Sequence, residues 1–559
     1  MRNYLLTTSK TSVMKQIRFI VPAMILMSSA TLAQQNGSII KSDTIFVVKD
    51  YKPLLADADK YIFQAPLPQP DSAKLKLKYN INPQLKKLPF TPSELKPVAM
   101  SRQDEQEKLQ NIYVKAGFGT QYSPFLDAHY NNGRNDKFYF SANAYHLSGR
   151  GKPLFKNFSD TRINADTRFQ TKKLTIGLDG GYKTNTFYYY GFNDQIVPDS
   201  AEVLPSKDES KRTYNLIHGN LFVKNATTTK SGIDYLFNLS EKYFYTNGVV
   251  SENEIETGLK LSKVHHTIHR FNLGIGFNHI SLSDSTASGS YWLLPFHPYY
   301  EYEKDKLYAR AGFNLVISDS AFFIPDILVQ YSLLNGKVIP FLRVDGMMDK
   351  NIMMYRSIDN PFINRNIERS IGASYNFGGG VKGSISDYVV FAAEVHYRLY
   401  NFLPIYTPDS LNQVRFSVNY AENAGVFNPH VELGFRRNDK FATTLKADYY
   451  RFDIDAVDFI ASSYPEWRVT LNASYNIQEK ILVTADVFLN APVTFQYTGK
   501  RTTINTGAWA DANLSVIYNY KSNFGAYLRL NNLTASQYAR WYRYNTYAFV
   551  MSAGLVFKF

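Results

Sequence analysis

Cysteine is absent from the 559 residues. That excludes a disulfide framework, a thiolate metal site and a lipid-modified amino-terminal cysteine, and it suits a chain that passes through an oxidising compartment. Long apolar runs are missing as well. Outside the amino terminus no stretch of about 18 apolar residues exists to cross a bilayer as a helix, and the mean hydropathy is −0.29. Tryptophan is scarce, at 4 residues. Acidic residues are outnumbered, so the formal charge is +14; removal of residues 1–33 would delete Arg2, Lys10, Lys15 and Arg18 and no acid, leaving about +10. No lysine and arginine cluster or nucleic-acid motif accompanies that charge. It points to anionic lipopolysaccharide or an acidic ligand, not to nucleic acid.

What the chain does hold is tyrosine and phenylalanine, 42 and 39 of them, bringing the aromatic share to 15%. A soluble domain seldom needs so many, whereas a transmembrane β-barrel needs aromatic girdles at both membrane interfaces. The last sixteen residues, YNTYAFVMSAGLVFKF, alternate along an extended strand. Tyr547, Phe549, Met551, Ala553, Leu555, Phe557 and Phe559 fall on one face, and Ala548, Ser552, Gly554 and Lys558 on the other. The same dyad recurs from residue 111 onward. In residues 467–477 the positions Trp467, Val469, Leu471, Ala473, Tyr475 and Ile477 are expected to face lipid, and Arg468, Thr470, Asn472, Ser474 and Asn476 a wet interior. A soluble sandwich would invert that logic.

Short turns are expected near Asn132 to Asn135, Lys172, Ala226 to Thr229, His265, Lys304, Asn335, Ser386, Asn438, Gln478 and Tyr520, alternating with longer loops at residues 193–209, 351–366, 403–414, 456–464 and 533–543. The count closes on 22 antiparallel strands. Residues 415–420 (RFSVNY) are read as part of an external hairpin, which keeps the parity even. Both ends of the barrel, residues 111 and 559, then lie on the periplasmic side.

Ahead of the barrel, Lys15 to Arg18 form a positive region, residues 19–27 (FIVPAMILM) a short apolar core, and Ala33 a small cleavage-site residue. This reads as a secretory signal peptide over residues 1–33. Residues 34–110 form a proline-rich periplasmic arm: Pro53, Pro66, Pro68, Pro70, Pro83, Pro89, Pro92 and Pro97 each fix φ and delete an amide donor. Its strand-like piece, Thr44, Ile45, Phe46, Val47 and Val48, is either a locally paired strand or an energy-coupling peptide that adds to a partner's sheet.

The 22-strand count, Asn531-Asn532-Leu533 followed by Tyr538, and the terminal Phe559 resemble the barrel of TonB-dependent receptors. Tyr51-Lys52-Pro53, residues 113–119 (YVKAGFG) and residues 377–383 (FGGGVKG) resemble a receptor-like group of Bacteroidetes. The resemblance implies an outer-membrane location, a TonB partner or a surface lipoprotein, the barrel-assembly machinery acting on a terminal signal at Phe557 and Phe559, and a lumen filled by a plug domain. Residues 34–110 are too few and too rich in proline for such a plug, so the arm and inward-folded loops are expected to close the lumen.

Chemistry is thinly represented. His265, His266 and His269 have metal-like spacing but lie at a turn, His146, His279 and His396 have no serine or carboxylate partners at a catalytic spacing, and Gly378-Gly379-Gly380 reads as a close approach within a strand. No catalytic residue, cofactor or metal is expected. The better candidates are aromatic and arginine clusters at external loops: Tyr188, Tyr189 and Tyr190, and Arg540, Trp541, Tyr542 and Arg543. Two functions follow: transport of a nutrient or other ligand across the outer membrane, or a non-transporting scaffold for a surface or periplasmic complex.

Overall fold

The computed structural model describes residues 110–133, 135–151, 155–191, 206–246, 249–284, 288–365, 367–409, 414–454, 463–496 and 502–559. The signal peptide, the arm and the coupling peptide Thr44 to Val48 lie outside them. One sheet of 22 antiparallel strands forms a closed barrel with almost no helix. Its first eight strands are β1 Ile112–Gly119, β2 Ser123–Asn131, β3 Phe138–Arg150, β4 Asn157–Gln170, β5 Leu174–Tyr188, β6 Lys211–Asn225, β7 Ile233–Thr246 and β8 Val250–His265. The next eight are β9 His269–Asp284, β10 Ser288–Lys304, β11 Leu307–Ile317, β12 Ala321–Tyr331, β13 Val338–Asn351, β14 Ser370–Ser384, β15 Val389–Pro408 and β16 Phe416–Arg437. Strand β17 runs through Phe441–Tyr449 and Arg451–Asp453, followed by β18 Trp467–Ile477, β19 Ile481–Asn490, β20 Trp509–Lys521, β21 Phe524–Asn531 and β22 Val550–Lys558.

Each strand pairs with its neighbours in sequence, and β22 pairs with β1 to close the ring, from Tyr113 opposite Lys558 to Gly119 opposite Ser552. The ring has no free edge strand, although β12 and β13 pair over only Ile327 to Gln330 and Phe341 to Val344. The end is stapled by Ile112 N donating to Phe559 O at 2.9 Å and Phe559 N to Ile112 O at 2.8 Å. Ten short turns share that end of the barrel, at the positions the residue pattern marks. Gln478 and Glu479 both take positive φ, 51° and 60°, the conformation a tight hairpin demands at its two central residues.

Side-chain alternation follows the expected sense. Trp467, Leu471 and Tyr475 are exposed on the outer face of β18. On its inner face Asn472 donates to Asp486 of β19 at 2.6 Å and Arg468 to Asn490 at 3.2 Å. Interior polar groups pair across strands all round the ring, as with Arg310 and Asp326 at 3.0 Å and His430 and Asp448 at 2.9 Å. Close approach within β14 requires the glycine run: a Cβ on Gly378 would lie 2.3 Å from His396 Nδ1, and one on Gly380 2.2 Å from Ala393 O.

Two details depart from the sequence reading. Residues 403–408 are not loop: Leu403 to Pro408 continue β15 and pair with Phe416 to Ala421 of β16, so these strands, 20 and 22 residues long, extend together as the expected hairpin. The last strand starts at Val550, not Tyr544. Tyr544 and Asn545 instead pair with Ala539–Trp541, because Tyr544 is buried among loop aromatics and Tyr547 is drawn to the carbonyl of Lys156.

Candidate functional site

The loops opposite the turn end fold over the mouth of the barrel. Twenty buried apolar side chains form one cluster there. Phe187 comes from the top of β5, Tyr214 from β6, Phe244 from β7, Ile280 and Leu282 from β9, and Phe416 and Val418 from β16. In a ring of 22 strands, β5 and β16 stand opposite each other. Their meeting in one core therefore requires side chains that span the opening. Phe362 supplies the middle of the span, 5.5 Å from the Phe187 ring and stacked on Tyr544 at 3.5 Å. Tyr544 lies 6.3 Å from Phe416, and its hydroxyl donates to Val414 O.

This cluster joins the two aromatic groups marked in the sequence. Tyr189 is buried, donates to Ile363 O at 2.9 Å and is flanked by the guanidinium groups of Arg212 at 4.7 Å and Arg415 at 5.2 Å. Tyr190 packs edge-on to Tyr544 at 4.9 Å and donates to Asn545 O. Trp541 is buried against Tyr406, Phe416 and Phe495. Tyr188 meets Lys207 at 6.0 Å, and Arg543 lies over Tyr542 at 5.4 Å. Burial, and next to it the charge of Arg468, push the Arg540 guanidinium below its ordinary value. Tyr189 and Trp541 thus belong to the interior of the cap and are not displayed outward.

Residues 352–369, the connection from β13 to β14, contribute Ile352, Met353, Met354, Ile363 and Ile367 to the core. An ionic ladder on β8, which the sequence reading missed, ties this segment to the wall. Glu252, Glu254 and Glu256 alternate along one strand, so all three face inward. Glu252 is fully buried and accepts from the amides of Met353 at 2.9 Å and Met354 at 2.6 Å, capping the helix Met353–Asp359, whose own cap residue Ile352 offers no acceptor. Arg369 bridges Glu252 at 3.3 Å and Asp284 at 2.7 Å. Glu254, also fully buried, receives Lys242 at 3.1 Å, Lys350, the Tyr355 hydroxyl and Asn278 at 3.0 Å. Glu256 shares Lys350 and accepts from Asn278 at 2.6 Å. The alternating acids of Ser251-Glu252-Asn253-Glu254-Ile255-Glu256 were the available signal.

A second tie joins Lys156 to Thr546 and Tyr547. Lys156 is buried, donates to Thr546 O at 2.7 Å and lies 4.6 Å from the Tyr547 ring. Burial lowers its ammonium pKa to about 8 from an ordinary 10.5. The released loop therefore binds more protons than the docked one between pH 8 and 10.5, so docking strengthens as pH rises through that window and is flat below it. Amide protection factors at residues 544–547 should rise about tenfold or more from pH 8 to pH 10, and stay level in Lys156→Met; equal profiles would remove the lysine from the latch.

Two histidines have partners that the sequence spacing does not show: His146 meets Thr161 at 2.8 Å and Ser148 at 3.2 Å, and His396 meets Glu394 at 3.0 Å and Asn376 at 3.1 Å. His265, His266 and His269 sit at the β8–β9 turn, where the His269 imidazole bonds Tyr300. Phe557 packs on Phe524 at 5.3 Å, and Phe559 is exposed at the turn end.

A 22-stranded, closed, antiparallel barrel with an outward apolar face is the architecture of a transmembrane barrel of the outer-membrane type. The chain is similar in fold to the ferric enterobactin receptor PfeA of Pseudomonas aeruginosa, at 11% identity and TM-score 0.59 over 81% of this chain and 82% of that one. It is likewise similar to the siderophore receptor PirA of Acinetobacter baumannii (10%, 0.59, 81% and 81%) and the FrpB iron transporter of Neisseria meningitidis (9%, 0.63, 81% and 83%). At such identity the likeness is one of fold. No family model and no curated protein matches the chain.

Proposed function

We propose that the chain is a receptor-like outer-membrane barrel that passes a nutrient or other ligand through its lumen when the loop cap is displaced. The observation that carries this reading is a polar, charged inner wall reaching a mouth closed by loops that ion pairs hold to that wall. Ion pairs trade readily for water once a ligand intrudes, so an anchor of this kind is releasable in a way a purely apolar seal is not. On this reading residues 1–33 are a cleaved signal peptide, both barrel ends face the periplasm and the outer face meets lipid and lipopolysaccharide. Phe557 and Phe559 address the barrel-assembly machinery, and Thr44 to Val48 engage TonB. A partner such as a surface lipoprotein covers the mouth, and the loops stand in for a plug.

The size of the apolar cap favours a second reading, a scaffold whose lumen stays shut. One experiment separates the two. Medium conditioned by the native host should lose a solute that a deletion strain leaves behind, and a strain carrying Val47→Pro should behave as the deletion while its barrel still migrates as folded. Unchanged depletion in Val47→Pro removes energy coupling. A deletion strain that depletes the medium like its parent removes transport and leaves the scaffold.

A further inference from the structure

A cavity of about 320 Å³ lies against the inner wall where β13, β15, β16, β17 and β18 meet the capping segment. That is within the range of small-molecule sites. Its charge is one-sided. Arg356 enters from the capping helix, Arg398 from β15 and Arg468 from β18, and Asp349 is the lone lining acid.

The usual bland explanation, a structural ion-pair network, accounts for part of this set only. Arg356 pairs with Asp359 at 2.9 Å, yet its Nε is buried with no hydrogen-bond partner. Arg468 hydrogen-bonds to Asn490, a neutral group, and stands opposite Asp448, whose carboxylate is shared with His430 at 2.9 Å. Arg398 is exposed to solvent and makes no side-chain hydrogen bond or ion pair among the described residues, so its guanidinium is open to a ligand. Oδ2 of Asp349 is buried and unpartnered too. Buried atoms without partners are costly at Arg356 Nε and Asp349 Oδ2, as they are at Arg212, Arg310 and Arg343 elsewhere on the barrel; what sets this place apart is three guanidinium groups facing one carboxylate across a single cavity.

The remaining lining is aromatic. Tyr400, Phe402, Tyr450, Phe452 and Tyr464 form one side, with Phe452 stacked on Tyr464 at 5.6 Å and on Tyr450 at 6.3 Å. Tyr464 is fixed by donating to Pro404 O at 2.8 Å. A flat aromatic wall accepts the face of a ring, spare arginines accept an anion, and a spare carboxylate oxygen accepts a hydroxyl.

We propose that this cavity binds an anionic sugar, a hexose-sized ring bearing a phosphate or a carboxylate. Arg398 and Arg468 hold the anion, Asp349 takes a ring hydroxyl, and Tyr450 and Phe452 cover the ring. Arg356 links the site to the cap, since it lies on the helix that Glu252 anchors. The proposal rests on the reading that the lumen handles a ligand, and it names the class.

The test is calorimetric titration of the full barrel, purified in detergent, with glucose 6-phosphate and with glucuronate, using glucose and inorganic phosphate as single-feature probes. Saturable binding of at least one charged sugar is expected, at least tenfold tighter than glucose or phosphate, and at least tenfold weaker in Arg398→Gln/Arg468→Gln. Tyr450→Ala, which leaves every charge in place, should weaken the sugar phosphate and spare inorganic phosphate; retention of folded mobility on unheated gels keeps each comparison valid. No saturable binding to either charged sugar, equal binding by the arginine variant, or phosphate as tight as its sugar ester overturns the proposal. Binding without solute depletion by the native host would keep the cavity and sink transport. Depletion without binding would do the reverse.

Discussion

A chain carrying Glu252→Ala and Glu254→Ala together should assemble as a folded barrel and conduct ions in a planar bilayer where the native chain stays closed. Both carboxylates are fully buried, and between them they receive Lys242, Lys350, Arg369, the Tyr355 hydroxyl and two helix amides. Removing one side of a buried charge pair costs about 3–5 kcal/mol, because the partners stay desolvated without compensation. Here the structure has an escape: residues 352–369 can leave the wall, and water can reach Lys350 and Arg369. About 3–5 kcal/mol moves a closed-to-open equilibrium by roughly two to four powers of ten. The released segment takes five of the twenty core side chains with it, so the remaining loops lose the piece that spans the mouth. Glu432→Ala is the control. Glu432 pairs with Lys446 at 2.9 Å on the wall and touches no loop, so its loss should leave the bilayer silent. Silence from the double variant would move the seal from the ladder to the apolar core alone.

The barrel was legible because its signals are local. A two-residue turn and a ten-residue alternation can be read without knowing what lies across the lumen, and the ten turns of one end followed from residues such as Gln478-Glu479 and Asn438-Asp439. Even the external hairpin at residues 415–420 came from parity, although the depth to which β15 runs into it did not. The cap was half legible. Tyr188 to Tyr190 and Arg540 to Arg543 stand out as aromatic and basic clusters, yet nothing in either says that Tyr190 and Tyr544 touch. That contact is set by the closure of β22 on β1, which brings the end of the chain to within five strands of β5, a property that no window of sequence carries. Glu252, Glu254 and Glu256 were overlooked because inward polar residues are the rule in a barrel; only the partner segment turns three of them into an anchor.

Gly554→Ala should abolish folded barrel, an effect larger than any single change in the cap. Gly554 stands directly opposite Gly117 at the seam where β22 closes on β1. A Cβ on Gly554 would lie 2.0 Å from Ala116 O and 2.5 Å from Gly117 Cα, and one on Gly117 would lie 2.3 Å from Ala553 O. Those are backbone atoms of the partner strand, so no rotamer change relieves the overlap, and the strands must part where the ring has to shut. On the inner side Tyr527 lies across both glycines, its hydroxyl 2.3 Å from the Gly117 position and its ring 2.7 Å from that of Gly554. Lys115 sits 4.4 Å above that ring, and Phe125 meets it edge-on at 5.9 Å. A side chain laid over a glycine pair restores the packing the glycines lack. Two competing causes are therefore separable. If the clash were only with the tyrosine, Tyr527→Ala would rescue Gly554→Ala; because the backbone stands in the way, the double variant should stay unfolded. Tyr527→Ala alone should close and lose about 3–5 kcal/mol through the lost aromatic packing. Ala553→Val, one residue away on the outward face, should assemble normally. Heat-modifiable gel mobility of membrane fractions reads all four, and a folded Gly554→Ala barrel would show that the seam has slack that this packing denies.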